Sequence, residues 1–136
     1  DRVYIVGGEA AVGPGIEADV VEYINVRKLE TWDVDWYRFA GVDRYQTSFL
    51  INNEAFYRAD VAFVAVGTNF ADALTGGALA GAWASPLYLT PSSCLMPSVA
   101  DSMVWNHSNL LVLLGGTAVL SPAVAFQSFC PISWSY

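Results

Sequence analysis

The sequence is poor in charge, and poorest in positive charge. Charged residues make up 14% of the chain, against about 25% in ordinary soluble domains. Six basic residues face 13 acidic ones, for a net charge of −7. That balance repels the backbone of a nucleic acid and the anionic face of a membrane, which excludes both as main partners. An anionic ligand needs a local basic site. Long hydrophobic runs are also missing: the longest, such as residues 61–66 and 110–114, fall far short of the roughly 20 residues that span a bilayer. The single histidine, His107 in a turn-like Asn106-His107-Ser108-Asn109, has no partners for catalysis or zinc binding. The two cysteines, Cys94 and Cys130, have no second ligand pair at metal spacing. Asp33-Val34-Asp35 resembles the acid pair of a magnesium site, but two carboxylates alone are too few. The chain opens Asp1-Arg2-Val3-Tyr4 on a strand-like run, without the basic start, apolar stretch and cleavage site of a secretion signal. The expectation is that an upstream segment has been removed.

Apolar residues, by contrast, reach 54%, so uncharged surface is expected to lie against a neighbour. A chain of 136 residues suffices for one compact domain that buries roughly 70% of the surface its unfolded form exposes. Short apolar runs near residues 3–6, 61–66, 86–90 and 110–114 alternate with segments of helical period at 14–24, 70–84, 97–105 and 122–129. A further helix is expected over 43–58, where Tyr45, Phe49, Leu50, Phe56 and Tyr57 recur near a 3.6 period. The alternation predicts an α/β fold of three layers, a mostly parallel sheet flanked by helices. Pro14, Pro97 and Pro122 suit first helical turns, where a missing N–H costs nothing.

The chain also repeats itself. Residues 3–16 match residues 111–124 at an offset of 108, with Gly7/Gly115, Gly8/Gly116, Ala10/Ala118 and Pro14/Pro122 identical. A strand, a Gly-Gly turn and a proline-started helix thus occur twice. Residues 1–36 read as the C-terminal part of a preceding repeat and 37–136 as one essentially complete repeat, together forming one compact domain. The two Gly-Gly strands are candidates for the same position in a sheet, which predicts exchange between chains.

Three segments stand in a fixed order. Arg38-Phe39-Ala40-Gly41-Val42-Asp43-Arg44-Tyr45-Gln46-Thr47 comes first, Gly67-Thr68-Asn69-Phe70-Ala71-Asp72-Ala73-Leu74 second, and Leu113-Leu114-Gly115-Gly116-Thr117 with Ser121-Pro122 last. In this order the chain resembles the type 2 cell-wall-binding repeat family of Gram-positive surface proteins over residues 38 to about 127. Ala71 departs from the family's common proline, and Pro86-Leu87-Tyr88-Leu89 from its all-aliphatic strand. The resemblance implies a Toprim-like module, without catalysis or cofactor, that recurs in tandem and associates with neighbouring repeats or with itself. It implies a secreted parent held non-covalently to an anionic secondary polymer of the wall. An extracellular address favours a disulfide between Cys94 and Cys130 over two buried thiols.

Each motif residue also has a structural reading. Asp43 is a plausible N-cap, and Arg44 then sits at a positive helix end, unfavourable by about 0.3–1 kcal/mol unless an anion is near. Arg44 either pairs with an acid such as Asp72 or meets a phosphate or carboxylate of the polymer; Arg38 has the same two readings. Asn69 followed by Asp72 resembles a capping box. Yet the turn lies at a strand's carboxyl end, the usual ligand position in open α/β sheets, which keeps Gly67, Thr68 and Asn69 as candidate contacts. Gly41, Tyr45, Thr47, Phe70, Gly115 and Gly116 are motif positions with structural roles. Small residues over 73–84 predict a helix packed closely on the sheet or on a neighbouring module. Trp32, Trp36 and Tyr37 offer faces for sugar rings or for core packing. Two other classes are open: a self-associating scaffold repeat without a ligand, and an α/β hydrolase or nucleotide-binding domain, for which neither a nucleophile-base pair nor a phosphate loop can be assembled.

Overall fold

The computed structural model describes residues 2–28 and 35–131; Trp32 and Asp33 lie outside them. The chain is α/β, with parallel sheets flanked by helices. Strand β3 (Val61–Val66) is Val-Ala-Phe-Val-Ala-Val and is covered on both faces, as a run without polar residues requires. Strands β4 (Leu87–Thr90) and β5 (Leu110–Leu114) flank it in parallel, in the order β4-β3-β5. Alternation sends Ala62, Val64 and Val66 to one face, where they meet Tyr88, Leu95, Val99, Leu120 and Val124 in the main core. Phe63 and Ala65, fully buried, face the opposite way, and the Phe63 ring meets Trp83 edge-on at 5.7 Å.

Helix α3 (Phe70–Ala82) covers that second face. A Cβ added at Gly76 would overlap the Leu114 side chain, so glycine sets how closely α3 approaches β5. Its outer side keeps Phe70 and Leu74 more than 70% exposed, the uncharged surface expected from composition. Helices α4 (Pro97–Trp105) and α5 (Pro122–Ala125) supply Val99 and Val124 to the main core. The last helix is shorter than its expected span of residues 122–129. Gln127 takes φ +53, Ser128 N–H donates to Ala123 O at 2.8 Å, and the chain then runs extended, with Phe129 bridged in parallel to Leu95. The Cys94–Cys130 disulfide closes this return.

A strand not expected from the sequence, β2 (Asp35–Phe39), pairs in parallel with β1 (Arg2–Val6) as a separate two-stranded sheet, connected through α1 (Ile16–Lys28). Trp36, Tyr37 and Phe39 suit a pleated surface, and Tyr4 lies 5.8 Å from both Tyr37 and Phe39, ring to ring. Asp35 and Arg38 interrupt the apolar run and conceal it from a hydropathy reading.

The internal repeat is visible in the backbone. Gly7 has φ +123 and Gly115 φ +115, a region open to glycine and costly for other residues. Val12 N–H donates to Gly8 O at 2.9 Å, as Leu120 N–H does to Gly116 O at 3.0 Å. The two Gly-Gly strands nevertheless hold different positions, β1 beside β2 and β5 beside β3.

Helix α2 (Arg44–Ala55) lies along β4, the first strand of the three-stranded order. Its Asn52, 6% exposed, donates to Leu87 O at 2.7 Å and accepts from Leu87 N–H at 3.1 Å. Ser48 Oγ accepts from Leu89 N–H at 3.0 Å. Two side chains thereby take the place of a neighbouring strand and close that edge to pairing.

Candidate functional site

The first motif builds the start of α2. Asp43 accepts from Gln46 N–H at 2.8 Å, and the Gln46 side chain in return accepts from Val42 N–H at 2.7 Å. Two donors at a helix start are satisfied this way. The Thr47 hydroxyl donates to Asp43 O and accepts from Gly41 N–H, both at 2.9 Å. This folds Gly41 onto the helix so tightly that an added Cβ would stand 2.5 Å from Thr47 N. Gly41, Asp43 and Thr47 are thus one local device that fixes where Arg44 and Tyr45 emerge.

The second motif meets the first. Gly67 N–H donates to Thr90 O at 2.9 Å, and the Gly67 carbonyl accepts from Arg44 Nη1 at 2.5 Å. A Cβ on Gly67 would lie 2.5 Å from Tyr45 Cε1 and 3.1 Å from Arg44 Cδ. Glycine there lets Arg44 and Tyr45 close over the end of β3. Asn69 caps α3, accepting from Ala71 N–H at 3.1 Å, while Thr68, Asn69 and Phe70 are exposed. The carboxylate of Asp72 lies over Gly115, 2.9 Å from where a Cβ would stand. Asp72, in the first turn of α3, therefore sits beside the Gly-Gly turn that follows β5. Arg44 is exposed, and apart from its bond to Gly67 its donors have no partner among the described residues.

Arg38 is placed differently. It donates through Nε to Glu17 Oε1 at 2.8 Å and through Nη1 to Gly7 O at 2.7 Å and Val12 O at 3.0 Å; Nη2 also reaches Glu17. With a side chain 13% exposed, it braces β2 against the Gly-Gly turn after β1 and against the first turn of α1. The Glu17 carboxyl is held below its ordinary range, first by its own backbone N–H and then by Arg38. Arg38 and Arg44 thus divide the two readings between them, one as a brace and one with donors to spare.

Sequence reasoning overlooked Arg58. Arg58 lines a groove of about 620 Å³ with Met103, His107, Asn109 and Gln127, next to the amino ends of β3 and β5. Its only sequence signal is a lone arginine before a buried strand. Among the described residues no group of three or more His, Cys, Asp or Glu could hold a metal ion, and no helix is long and apolar enough to cross a membrane.

Residues 38–125 match the cell wall binding domain 2 (CWB2) family. Among solved structures the chain is similar to Cwp8 from Clostridium difficile, at 26% identity and a TM-score of 0.71, over 92% of this chain and 19% of that one. No curated protein matches.

Proposed function

The chain belongs to the cell wall binding domain 2 family, and on that premise we propose that it anchors a secreted parent, without catalysis, to anionic polymers of the cell wall through Arg44. The observation that carries this reading is the exposed Arg44 guanidinium at a helix start, whose donors other than the one to Gly67 O have no partner among the described residues, in a chain of net charge −7. The start of α2 favours a further anion beside Arg44, and a phosphate or carboxylate meets a guanidinium through paired hydrogen bonds. Gly67, Thr68 and Asn69 form the rim of the contact. Arg38 belongs to the same site at one remove, because it holds in place the strand that leads into α2. Residues 1–36 act as the tail of one repeat and 37–136 as the next.

Arg44→Gln removes the charge and leaves the Asp43 cap in place. Binding to isolated walls should weaken about tenfold or more, the worth of a hydrogen bond to a charged group, while the chain still unfolds cooperatively and loses only the exposed bond to Gly67 O. Equal binding by the variant removes Arg44 from the site. A scaffold reading, in which repeats associate without a ligand, is favoured by the exposed Phe70 and Leu74 on α3. It predicts oligomers whose formation is indifferent to wall polymer, measurable as solution mass.

A further inference from the structure

We propose that the outer edge of β5 accepts, as a fourth parallel strand, the β2-type strand of a following repeat. The inference stands independently of polymer binding. It follows from comparing the two copies of the Gly-Gly strand edge by edge.

On β1, Gly7 N–H donates to Phe39 O at 2.9 Å. Backbone groups alternate in direction along a strand, so Val3, Ile5 and Gly7 turn toward β2. On β3, Phe63 and Gly67 N–H donate to Pro86 and Thr90 of the β4 side, which leaves Ala62, Val64 and Val66 for β5. Ala62 stands opposite Leu111, and in a parallel ladder it bonds to the residues on either side, Leu110 and Val112. Leu111, Leu113 and Gly115 therefore turn away from β3. They are the residues that repeat Val3, Ile5 and Gly7 at the offset of 108.

The edge that β2 fills on β1 is thus the edge that β5 leaves open. Among the described residues β5 has a strand neighbour on one side only. The opposite edge of the same sheet is closed by Asn52 and Ser48. A sheet with one edge closed by side chains and the other left apolar and unpaired is built for addition of a strand on the open side. The receptor for the incoming arginine is duplicated in part. Arg38 reaches the carbonyls of Gly7 and Val12, whose counterparts Gly115 and Leu120 lie in a turn of the same hydrogen bonding. Glu17, however, corresponds to Ala125, so the second receptor lacks the carboxylate. Successive repeats then share strands, each giving its first strand to the sheet of the repeat before it.

The test is amide hydrogen exchange on the whole chain, with a peptide of the sequence of residues 35–43 added as the incoming strand. Exchange at Leu111, Leu113 and Gly115 is expected to slow about tenfold or more at saturating peptide. A peptide with Arg38→Ala should protect less, and Ala125→Glu in the chain should tighten the wild-type peptide. Exchange at these three amides that stays unchanged with millimolar peptide overturns the proposal. A second arm uses the chain extended after Tyr136 by a copy of residues 29–58, which keeps the spacing between the Gly-Gly turn and the next β2. Protection without peptide in the monomer is expected. Protection of the same amides in the unextended chain, accompanied by a doubled mass, would assign the edge to a second copy and overturn the choice of a following repeat.

Discussion

Replacing Asn52 by aspartate changes one atom of a nearly isosteric side chain and tests what closes the β4 edge. The Asn52 amide nitrogen donates at 2.7 Å to both Ser48 O and Leu87 O. In the variant an oxygen faces two carbonyl oxygens in a position 6% exposed. Each buried carbonyl left without its donor costs about 1–3 kcal/mol, so for the two the loss should be about 2–6 kcal/mol at neutral pH. That is a large fraction of a total stability of about 5–15 kcal/mol, and corresponds to a fall in Tm of about 10 °C or more. Urea unfolding of the oxidised chain measures it. Burial beside carbonyl oxygens raises the pKa of the new carboxyl in the folded state, so the variant should regain stability as pH falls and the acid becomes a donor. A loss below about 1 kcal/mol, or one independent of pH, would refute the reasoning and show that β4 is closed by something other than this amide.

Glu17 yields a prediction of the opposite pH sense. Its folded pKa lies below the ordinary value of 4.5, so its contribution is present above that value and is lost as pH falls through the folded pKa. Amides of the β1–β2 pair should therefore lose exchange protection on acidification before those of β3, and Glu17→Gln should abolish the difference. Gly67→Ala places a methyl against the Tyr45 ring and should cost about 1–3 kcal/mol by overpacking; pairing it with Tyr45→Ala should recover part of that loss in a double-mutant cycle. Opening the Cys94–Cys130 link, which closes a loop of 36 residues, should cost about 4 kcal/mol and expose the Leu95 and Cys130 amides to exchange first.

The central elements were readable because a strand buried on both faces is a continuous apolar run, as residues 61–66 are, and because Pro97 and Pro122 mark helix starts. Strand β2 was not readable. Two charged residues interrupt it, and its pairing depends on β1, more than 30 residues away in the chain. The same distance hid the role of Arg38. Its partner Glu17 lies 21 residues upstream, in a helix of the earlier copy, and no local spacing connects them. The cap by Asp43 was legible because capping is local, whereas Asp72, one of the acids considered as a partner for Arg44, lies over Gly115. That Asn52 would mimic a strand partner required the placement of α2 along β4. The groove around Arg58 joins three segments that only the fold brings together.

The most direct test of the central claim is co-sedimentation of this chain with Gram-positive cell walls, before and after mild removal of their anionic secondary polymers, beside the Arg44→Gln variant. Anchoring through Arg44 predicts that the chain pellets with intact walls, that binding falls as salt screens the contact, and that both stripping the walls and removing the charge abolish most of it. Undiminished binding to stripped walls, or equal pelleting of the variant on intact ones, would contradict it.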